Sequence, residues 1–266
     1  MISLRTLFLT TALILPITAC GGGEDSGAES APADEKATAK QATPQKPAEM
    51  KAPGADAANS PAATETVDAF AEARKGYHPA LLDPSQATET APASYAVKFE
   101  TTKGDLIIDV TREWAPNGAD RFYNLVKIGY YDDVALFRVI AGFMAQVGIH
   151  GDPAVNKVWR AARIEDEPVK ASNTPGMVTF AMGGPNSRTT QIFLNLGNNV
   201  NLDGMKFAPF GKLRSMDILK TIHSGYGEGA PRGRGPHQGK LQSEGNPYLK
   251  ASFPELDYIT KASIVE

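Results

Sequence analysis

The stretch FRVIAGFMAQVG, residues 137–148, places a charged side chain inside an otherwise apolar sequence. In an extended strand successive side chains point to opposite faces, so Phe137 and Val139 point to one side and Arg138 to the other. The Ala-Gly pair in the middle of the stretch separates this strand from a second apolar one. We therefore expect two short strands and a cationic side chain on the face opposite Phe137 and Val139.

The stretch TQIFLNL, residues 190–196, shows the same alternation. Ile192, Leu194 and Leu196 are expected in the core, while Phe193 faces outward with an amide side chain on either side of it. An outward phenylalanine flanked by amides indicates a groove on the protein surface.

Outward from these stretches, hydrophobic alternation predicts further short strands. Strands are expected at 95–99, 106–110, 135–140, 143–147, 177–181, 191–196, 207–212 and 258–265. Helices are expected at 116–129 and from Ser215, and the first carries Ala119, Phe122 and Val126 on one face. Many short strands with two isolated helices favour an all-β barrel or sandwich over a parallel sheet.

The charge and composition of the chain exclude several classes of partner. The 266 residues carry a formal net charge of −3, and the predicted isoelectric point is near 5.9. A nucleic-acid-binding protein needs a basic surface to neutralise phosphates, so no nucleic-acid partner is expected. The four histidines show neither a spacing of four nor a neighbouring cysteine, and no phosphate-binding loop or nucleophile elbow is present. We therefore expect no metal and no cofactor.

Residues 1–19 have the parts of an export signal. Arg5 precedes an apolar run at 7–17, and small residues lead up to Cys20, the only cysteine of the chain. A membrane-spanning helix is the alternative, but the run is shorter than the roughly 20 residues that cross a bilayer, and Pro16 interrupts it.

The segment Ile17-Thr18-Ala19-Cys20 resembles the lipobox of bacterial lipoproteins, in which a peptidase cuts before the cysteine and acyl chains are attached to it. The resemblance implies that a lipid on Cys20 holds the protein on a membrane of the cell envelope. Gly21 in place of aspartate resembles lipoproteins sorted onward, which implies the periplasmic face of the outer membrane if the source has two membranes. The alternative is an ordinary secretory signal that leaves an unpaired thiol.

Composition divides the remaining chain into a tether and a folded domain. Residues 21–63 contain no aromatic side chain and cannot bury enough apolar surface to fold. Residues 66–75 can form a short helix, and the prolines that follow break any continuation. We assign 1–19 to a lipoprotein signal peptide, 20–92 to a lipidated and largely disordered tether, and 93–266 to a folded domain.

Successive motifs in the folded domain resemble the signatures of the cyclophilin family. They are residues 137–148, FAMGGPN at 180–186, QIF at 191–193, LDG at 202–204 and the Phe210-Gly211 pair. The resemblance implies a closed eight-stranded antiparallel barrel with a helix at each end. It also implies a peptidyl-prolyl cis-trans isomerase that acts on X-Pro bonds in unfolded or extended polypeptides, here exported proteins. Nothing in the sequence argues against a monomer.

The resemblance also assigns the chemistry. Rotation about a peptide bond is opposed by a barrier of ~18–20 kcal/mol, and twisting the bond localises the nitrogen lone pair. A fixed donor aimed at the prolyl nitrogen stabilises the twisted state more than either planar state. Arg138 matches this donor, and Gln146 and Gln191 match residues that bind the substrate backbone and orient the arginine. A surface ion pair on an edge strand is the alternative for Arg138.

An apolar pocket for the proline ring is the second part of the implied site. Its lining residues are Phe143, Met144, Phe193, Leu202 and Phe207. Phe207 takes the place of a histidine that is common in the family. Ala181 matches a position that pairs with the peptide through its main chain, and Met182 matches a neighbouring position that is often asparagine. Without the family resemblance, each apolar residue would be an ordinary core residue.

Two features depart from the best-known members of the family. Asn201 stands where they carry tryptophan, so we expect weak binding of cyclosporin-type drugs with retained activity. The segment 225–254 is longer than in a minimal cyclophilin, and both a solvated insertion and a partner-docking loop are open interpretations. The alternative function for the whole domain is a catalytically weak module that binds proline-containing peptides or an envelope partner.

Overall fold

Nine strands form a single sheet in the computed structural model, which describes residues 70–265. The predicted signal peptide, Cys20 and most of the predicted tether lie outside the described residues. The strands are β1 (Ser94–Thr101), β2 (Gly104–Thr111), β3 (Val134–Ala135), β4 (Arg138–Ile140), β5 (Met144–Val147), β6 (Met177–Phe180), β7 (Ile192–Asn195), β8 (Pro209–Leu213) and β9 (Tyr258–Val265). Their order is β3-β9-β1-β2-β8-β6-β7-β5-β4, and neighbouring strands are antiparallel. The predicted β-rich architecture is confirmed.

The two edge strands, β3 and β4, are not hydrogen-bonded to each other. The prediction of a closed eight-stranded barrel was therefore wrong, and the sheet is an open one of nine strands. The physical reason lies in the predicted strand at 135–140, which is split in two. Leu136 still donates its N–H to Asp257, beside β9, whereas Arg138 already pairs with Gln146 of β5. The chain thus leaves one edge of the sheet and joins the other within two residues.

Several α-helices accompany the sheet in the described part of the chain, besides a helical stretch at 70–74. They are α1 (Pro116–Lys127), α2 (Pro153–Trp159), α3 (Asn201–Gly204), α4 (Gln238–Glu244) and α5 (Asn246–Ser252), and 3-10 turns lie at Pro79–Leu81, Pro84–Gln86, Arg112–Trp114 and Leu219–Thr221. The predicted helix at 116–129 is confirmed as α1, with Pro116 in its first turn. Among residues 70–265, no helix has the length and apolar character needed to cross a membrane.

The second predicted helix, from Ser215, was wrong. Ser215 Oγ accepts the N–H of Asp217, and a single 3-10 turn at Leu219–Thr221 is all that follows. Leu219 and Ile222 are nevertheless buried. Apolar spacing identified the residues that face the core, but a short connection bent by a side-chain hydrogen bond buries them without an α-helix.

Aromatic rings fill the space between the sheet and α1. The ring of Phe122 lies 5.8 Å from that of Phe99 and 4.9 Å from that of Phe210, centroid to centroid. All three side chains are fully buried, as are Ala119 and most of Val126 on the same helix. Each such aromatic pair adds about 0.5–1.5 kcal/mol beyond the burial of its surface. The core therefore lies on the α1 side of the sheet and leaves the face that carries Arg138 free for a pocket.

The segment before β1 packs against the domain, upstream of the predicted boundary at residue 93. Ala80 and Leu81 are buried, and Trp159 donates its indole N–H to the Leu81 carbonyl at 3.1 Å. Arg74 binds both carboxylate oxygens of Asp152 at 2.6 Å. Short proline-started turns thus bury a few apolar side chains within residues 70–92, a segment that the sequence assigns to the tether.

Candidate active site

A surface cavity of about 400 Å³ lies beside β4, β5 and β7. All of the catalytic and pocket residues predicted from the sequence line it, namely Arg138, Gln146, Gln191, Phe143, Met144, Ala181, Met182, Phe193, Leu202 and Phe207. They come from strands and loops that are up to 69 residues apart in the chain, from Arg138 to Phe207. The fold thus brings the predicted set into one place, while the catalytic roles of its members stay predictions.

Arg138 enters the cavity from β4, and its side chain is mostly buried, with 17% of its surface exposed. One guanidinium edge binds the carboxylate of Glu228, with Nε to Oε1 and Nη2 to Oε2 both at 2.7 Å. On the other edge, Nη1 donates to Gln146 Oε1 at 2.9 Å and lies 3.8 Å from Met144 Sδ. The guanidinium carbon also lies 5.9 Å from the Phe143 ring centroid, within cation–π range. The orientation of this cation is therefore fixed from three sides.

Strand register explains why the two glutamines meet Arg138. Gln146 lies directly opposite Arg138 in the β4–β5 pair and opposite Phe193 in the β5–β7 pair, so their side chains share one face. Gln146 Nε2 donates to Gln191 Oε1 at 2.8 Å. The chain of hydrogen bonds from Arg138 through Gln146 to Gln191 agrees with the predicted orienting role of the glutamines.

The apolar part of the cavity is a cluster separate from the main core. Met144, Phe193 and Leu202 are its buried members, and Phe143, Ala181 and Phe207 are among the half-buried side chains packed on them. The rings of Phe193 and Phe207 meet edge to face, with centroids 5.7 Å apart. The predicted alternation in β7 is confirmed for Ile192 and Leu194, which belong to the main core, and for Phe193, which belongs to the cavity. It was wrong for Asn195, which is fully buried and donates to the Met177 carbonyl instead of facing outward.

The loops around this apolar cluster are held by buried amides that sequence reasoning missed. Asn173, which is fully buried, donates from its side chain to Asp203 Oδ1 and to the Phe207 carbonyl, both at 2.8 Å. Burial opposes ionisation of Asp203, but hydrogen bonds from Ser172 and Asn173 outweigh it and lower the pKa of that carboxyl. The network fixes the turn that carries Leu202 and Phe207.

Ala181 lies on the rim beside Gly183, Ser187 and Thr189, which also line the cavity. Its N–H donates to the Gln191 carbonyl at 2.9 Å. The carbonyl of Ala181 is thus the main-chain group that this residue can offer to a peptide, in line with the predicted main-chain contact.

The 225–254 segment contributes residues that were not expected in the site. Glu228 contacts Arg138, and Arg232 and Gln238 line the cavity. The hydrogen bonds from Arg138 are the main cause that lowers the pKa of the Glu228 carboxyl, although burial opposes this. The segment is therefore not simply a solvated insertion. No spacing rule could have found Glu228, because it lies 90 residues from Arg138 in the chain.

Comparison with known proteins yields consistent matches. Residues 96–238 match the family described as cyclophilin type peptidyl-prolyl cis-trans isomerase/CLD. The chain is 34% identical over 135 residues to peptidyl-prolyl cis-trans isomerase-like 3 of Neurospora crassa, which covers 48% of this chain and 80% of that protein. It is also 34% identical over 135 residues to peptidyl-prolyl cis-trans isomerase cypE of Dictyostelium discoideum, covering 48% of this chain and 84% of that protein. Both relatives come from eukaryotes.

Among solved structures, a cyclophilin type peptidyl-prolyl cis-trans isomerase of Cryptosporidium parvum matches with a TM-score of 0.49 and 21% identity. The match covers 65% of this chain and 98% of that one.

Proposed function

Because the chain belongs to the cyclophilin-type peptidyl-prolyl cis-trans isomerase family, we propose that its cavity isomerises X-Pro bonds of exported proteins at the cell envelope. The observation that carries the proposal is the position of Arg138, a mostly buried cation beside an apolar cluster that suits a proline ring. A hydrogen-bond donor for the prolyl nitrogen and an apolar surface for the proline ring are the two features that catalysis of X-Pro rotation uses.

The proline ring is bound by the apolar cluster. Met144, Phe193 and Leu202 are its buried members, and the partly buried Phe143 and Phe207 pack against them. Burial of aliphatic ring surface contributes roughly 25 cal/mol per Å². With the ring held, the carbonyl that precedes proline is free to rotate about the bond.

Arg138 acts as the hydrogen-bond donor to the prolyl nitrogen. In the planar amide the nitrogen lone pair is delocalised and accepts poorly, whereas in the twisted state it is localised. The donor therefore lowers the energy of the twisted state more than that of either planar state, which is the condition for catalysis. Rotation about the X-Pro bond makes and breaks no covalent bond, so a positioned donor suffices and no proton transfer is needed.

The glutamines hold the substrate backbone and the donor in register. Gln146 contacts both Arg138 and Gln191, so movement of a bound peptide and of the guanidinium is coupled through one amide. Fixing reacting groups in advance lowers the entropic part of a barrier.

A protease-coupled assay on an Ala-Pro peptide tests the enzymatic proposal. Full-length protein should accelerate cis-to-trans conversion in proportion to its concentration, well above the uncatalysed rate, which has a time constant of tens to hundreds of seconds. Conversion at the uncatalysed rate in the presence of folded protein would contradict the proposal.

A binding module without useful turnover is the second candidate function. The ion pair with Glu228 favours it, because the carboxylate already takes up two of the donor atoms of Arg138. This candidate predicts that X-Pro peptides bind in the cavity while their isomerisation rate stays unchanged.

The envelope location is proposed from the amino-terminal sequence. The export signal, the lipobox-like segment before Cys20 and the Gly21 that follows support a lipid-anchored protein, on the periplasmic face of the outer membrane in a two-membrane source. Exported polypeptides with accessible X-Pro bonds are the clients that such a location offers.

Metabolic labelling with an alkyne-tagged fatty acid tests the anchor. Full-length protein expressed in a two-membrane bacterium should carry the label, and the Cys20→Ser variant should lose it entirely, because Cys20 is the only thiol. Ser26→Ala, a nearby change that leaves Cys20 intact, is the control and should stay labelled. Label on Cys20→Ser, or none on the unaltered protein, would contradict the anchor.

A further inference from the structure

The 225–254 segment reaches the arginine of the proposed active site through a carboxylate. We propose that Glu228 is a positioning residue that holds Arg138 in the orientation needed for isomerisation, an inference that rests on the proposed function. Glu228 does not line the cavity itself, so it acts on the substrate only through Arg138.

The contact between Glu228 and Arg138 is bidentate. Both oxygens of Glu228 accept from Arg138, at 2.7 Å each, from Nε and Nη2. Parallel hydrogen bonds of this kind fix the plane of the guanidinium as well as its position. A single acceptor such as Gln146 would leave the group free to rotate about that one contact.

The backbone of the 225–254 segment holds Glu228 in place. Gly227 pairs with Val139, the neighbour of Arg138 in β4. Gly229 donates its N–H to Glu228 Oε1 at 2.9 Å, and Gly235 donates to the Glu228 carbonyl at 2.8 Å. The carboxylate is therefore anchored to the strand that carries the arginine, independently of the ion pair itself.

Only some of the guanidinium N–H groups of Arg138 are engaged by other side chains, so others remain for hydrogen bonds to a substrate. The guanidinium carries five N–H groups. Glu228 engages Nε–H and one N–H of Nη2, and Gln146 engages one N–H of Nη1, which leaves one N–H on each terminal nitrogen. The other N–H of Nη1 lies toward Met144 Sδ, 3.8 Å away, and a thioether is a weak acceptor. Because Met144 is part of the apolar cluster, the weakly engaged N–H faces the place assigned to the proline ring.

A positioning role predicts a change in activity without a matching change in stability. Glu228→Gln keeps a hydrogen-bonding side chain beside Arg138, and the guanidinium still donates to Gln146, so the substitution does not leave the mostly buried cation without a partner. If the pair were merely structural, the loss of Glu228 would shift unfolding and leave turnover per folded molecule unchanged.

The test is Glu228→Gln in the full-length protein, assayed for kcat and KM on an Ala-Pro peptide. An amide of nearly the same size cannot accept at both positions, so we expect kcat to fall about tenfold with KM within about twofold of wild type. In an Arg138→Lys background, which has no guanidinium to align, the same change should alter kcat by less than about twofold.

Asp109→Asn is the matched control, since Asp109 forms a similar two-pronged pair with Arg214 on the exposed surface. It should leave kcat unchanged. Wild-type kcat in Glu228→Gln, or an equal loss in the Arg138→Lys background, would overturn the inference while the proposed function stands. Absence of isomerase activity in the unaltered protein would instead contradict the proposed function.

Discussion

Replacement of Arg138 by alanine should lower kcat/KM for an X-Pro peptide by about a hundredfold. In the proposed mechanism the substitution removes the donor that stabilises the twisted amide, and removal of one such preorganised donor costs about 3 kcal/mol in other enzymes. In the proposed site the proline ring is bound by Met144, Phe193 and Leu202, which form an apolar cluster, so KM should change much less than kcat. Protease-coupled kinetics on the full-length protein measures both.

Two controls separate this loss from damage to the fold. Arg214→Ala removes an exposed arginine that is also paired with a carboxylate, and it should retain wild-type activity. The thermal unfolding midpoint of Arg138→Ala should stay close to that of wild type, because Glu228 is partly solvated and can be hydrated when its partner is lost. If Arg138→Ala retains more than a third of the wild-type kcat/KM, the assigned role of Arg138 is wrong.

Acid should destabilise the folded protein through His150. This side chain is 5% exposed, and burial lowers its pKa to about 4. Its Nδ1 accepts the N–H of Asp152 at 2.9 Å, a hydrogen bond that protonation of that nitrogen would abolish. In the unfolded chain the pKa of a histidine is about 6.5.

The sign of the effect follows from proton binding. Between pH 6.5 and 4 the unfolded chain binds a proton at His150 that the folded chain does not, so the free energy of unfolding falls as the pH falls. The contribution of His150 is fully present above pH 6.5, and at pH 4.5 about 2–3 kcal/mol of it should be lost.

Urea denaturation at pH 7.5 and pH 4.5 isolates this contribution when wild type is compared with His150→Asn. Asparagine keeps an acceptor for Asp152 and does not titrate, whereas carboxylates elsewhere in the protein contribute equally to both forms. The free energy of unfolding of wild type should therefore fall by about 2–3 kcal/mol more than that of the variant. An equal fall in both proteins would show that His150 does not cause the acid sensitivity.

Local sequence patterns were enough to predict which strand residues face the cavity. Alternation in residues 137–148 and 190–196 separated Arg138 and Phe193 from the core side chains next to them. The family resemblance then added Gln146, and strand register accounts for its contact with Arg138. The faces on which these side chains lie could be predicted because the alternation of side chains is a property of each strand alone, while their catalytic roles stay predictions.

Other features depend on contacts between distant parts of the chain and left no local pattern. Glu228 lies in a glycine-rich stretch and reaches Arg138 only because Gly227 pairs with Val139. The prediction of a closed barrel was wrong because the predicted strand breaks at residues 136–137. The break depends on hydrogen bonds beside β9 before it and to β5 after it, and no local pattern shows these. Leu81 gave no periodic pattern either, and its burial depends on the distant Trp159.

Exchange NMR on an Ala-Pro peptide with substoichiometric full-length protein tests the central claim most directly, because it observes binding and isomerisation in one sample. We predict cis–trans exchange cross-peaks within a mixing time of about a second, far shorter than the uncatalysed interconversion time of tens to hundreds of seconds. The same peaks should vanish with Arg138→Ala. Peptide resonances that shift or broaden on binding while no exchange cross-peaks appear would contradict the account and identify a binding module instead.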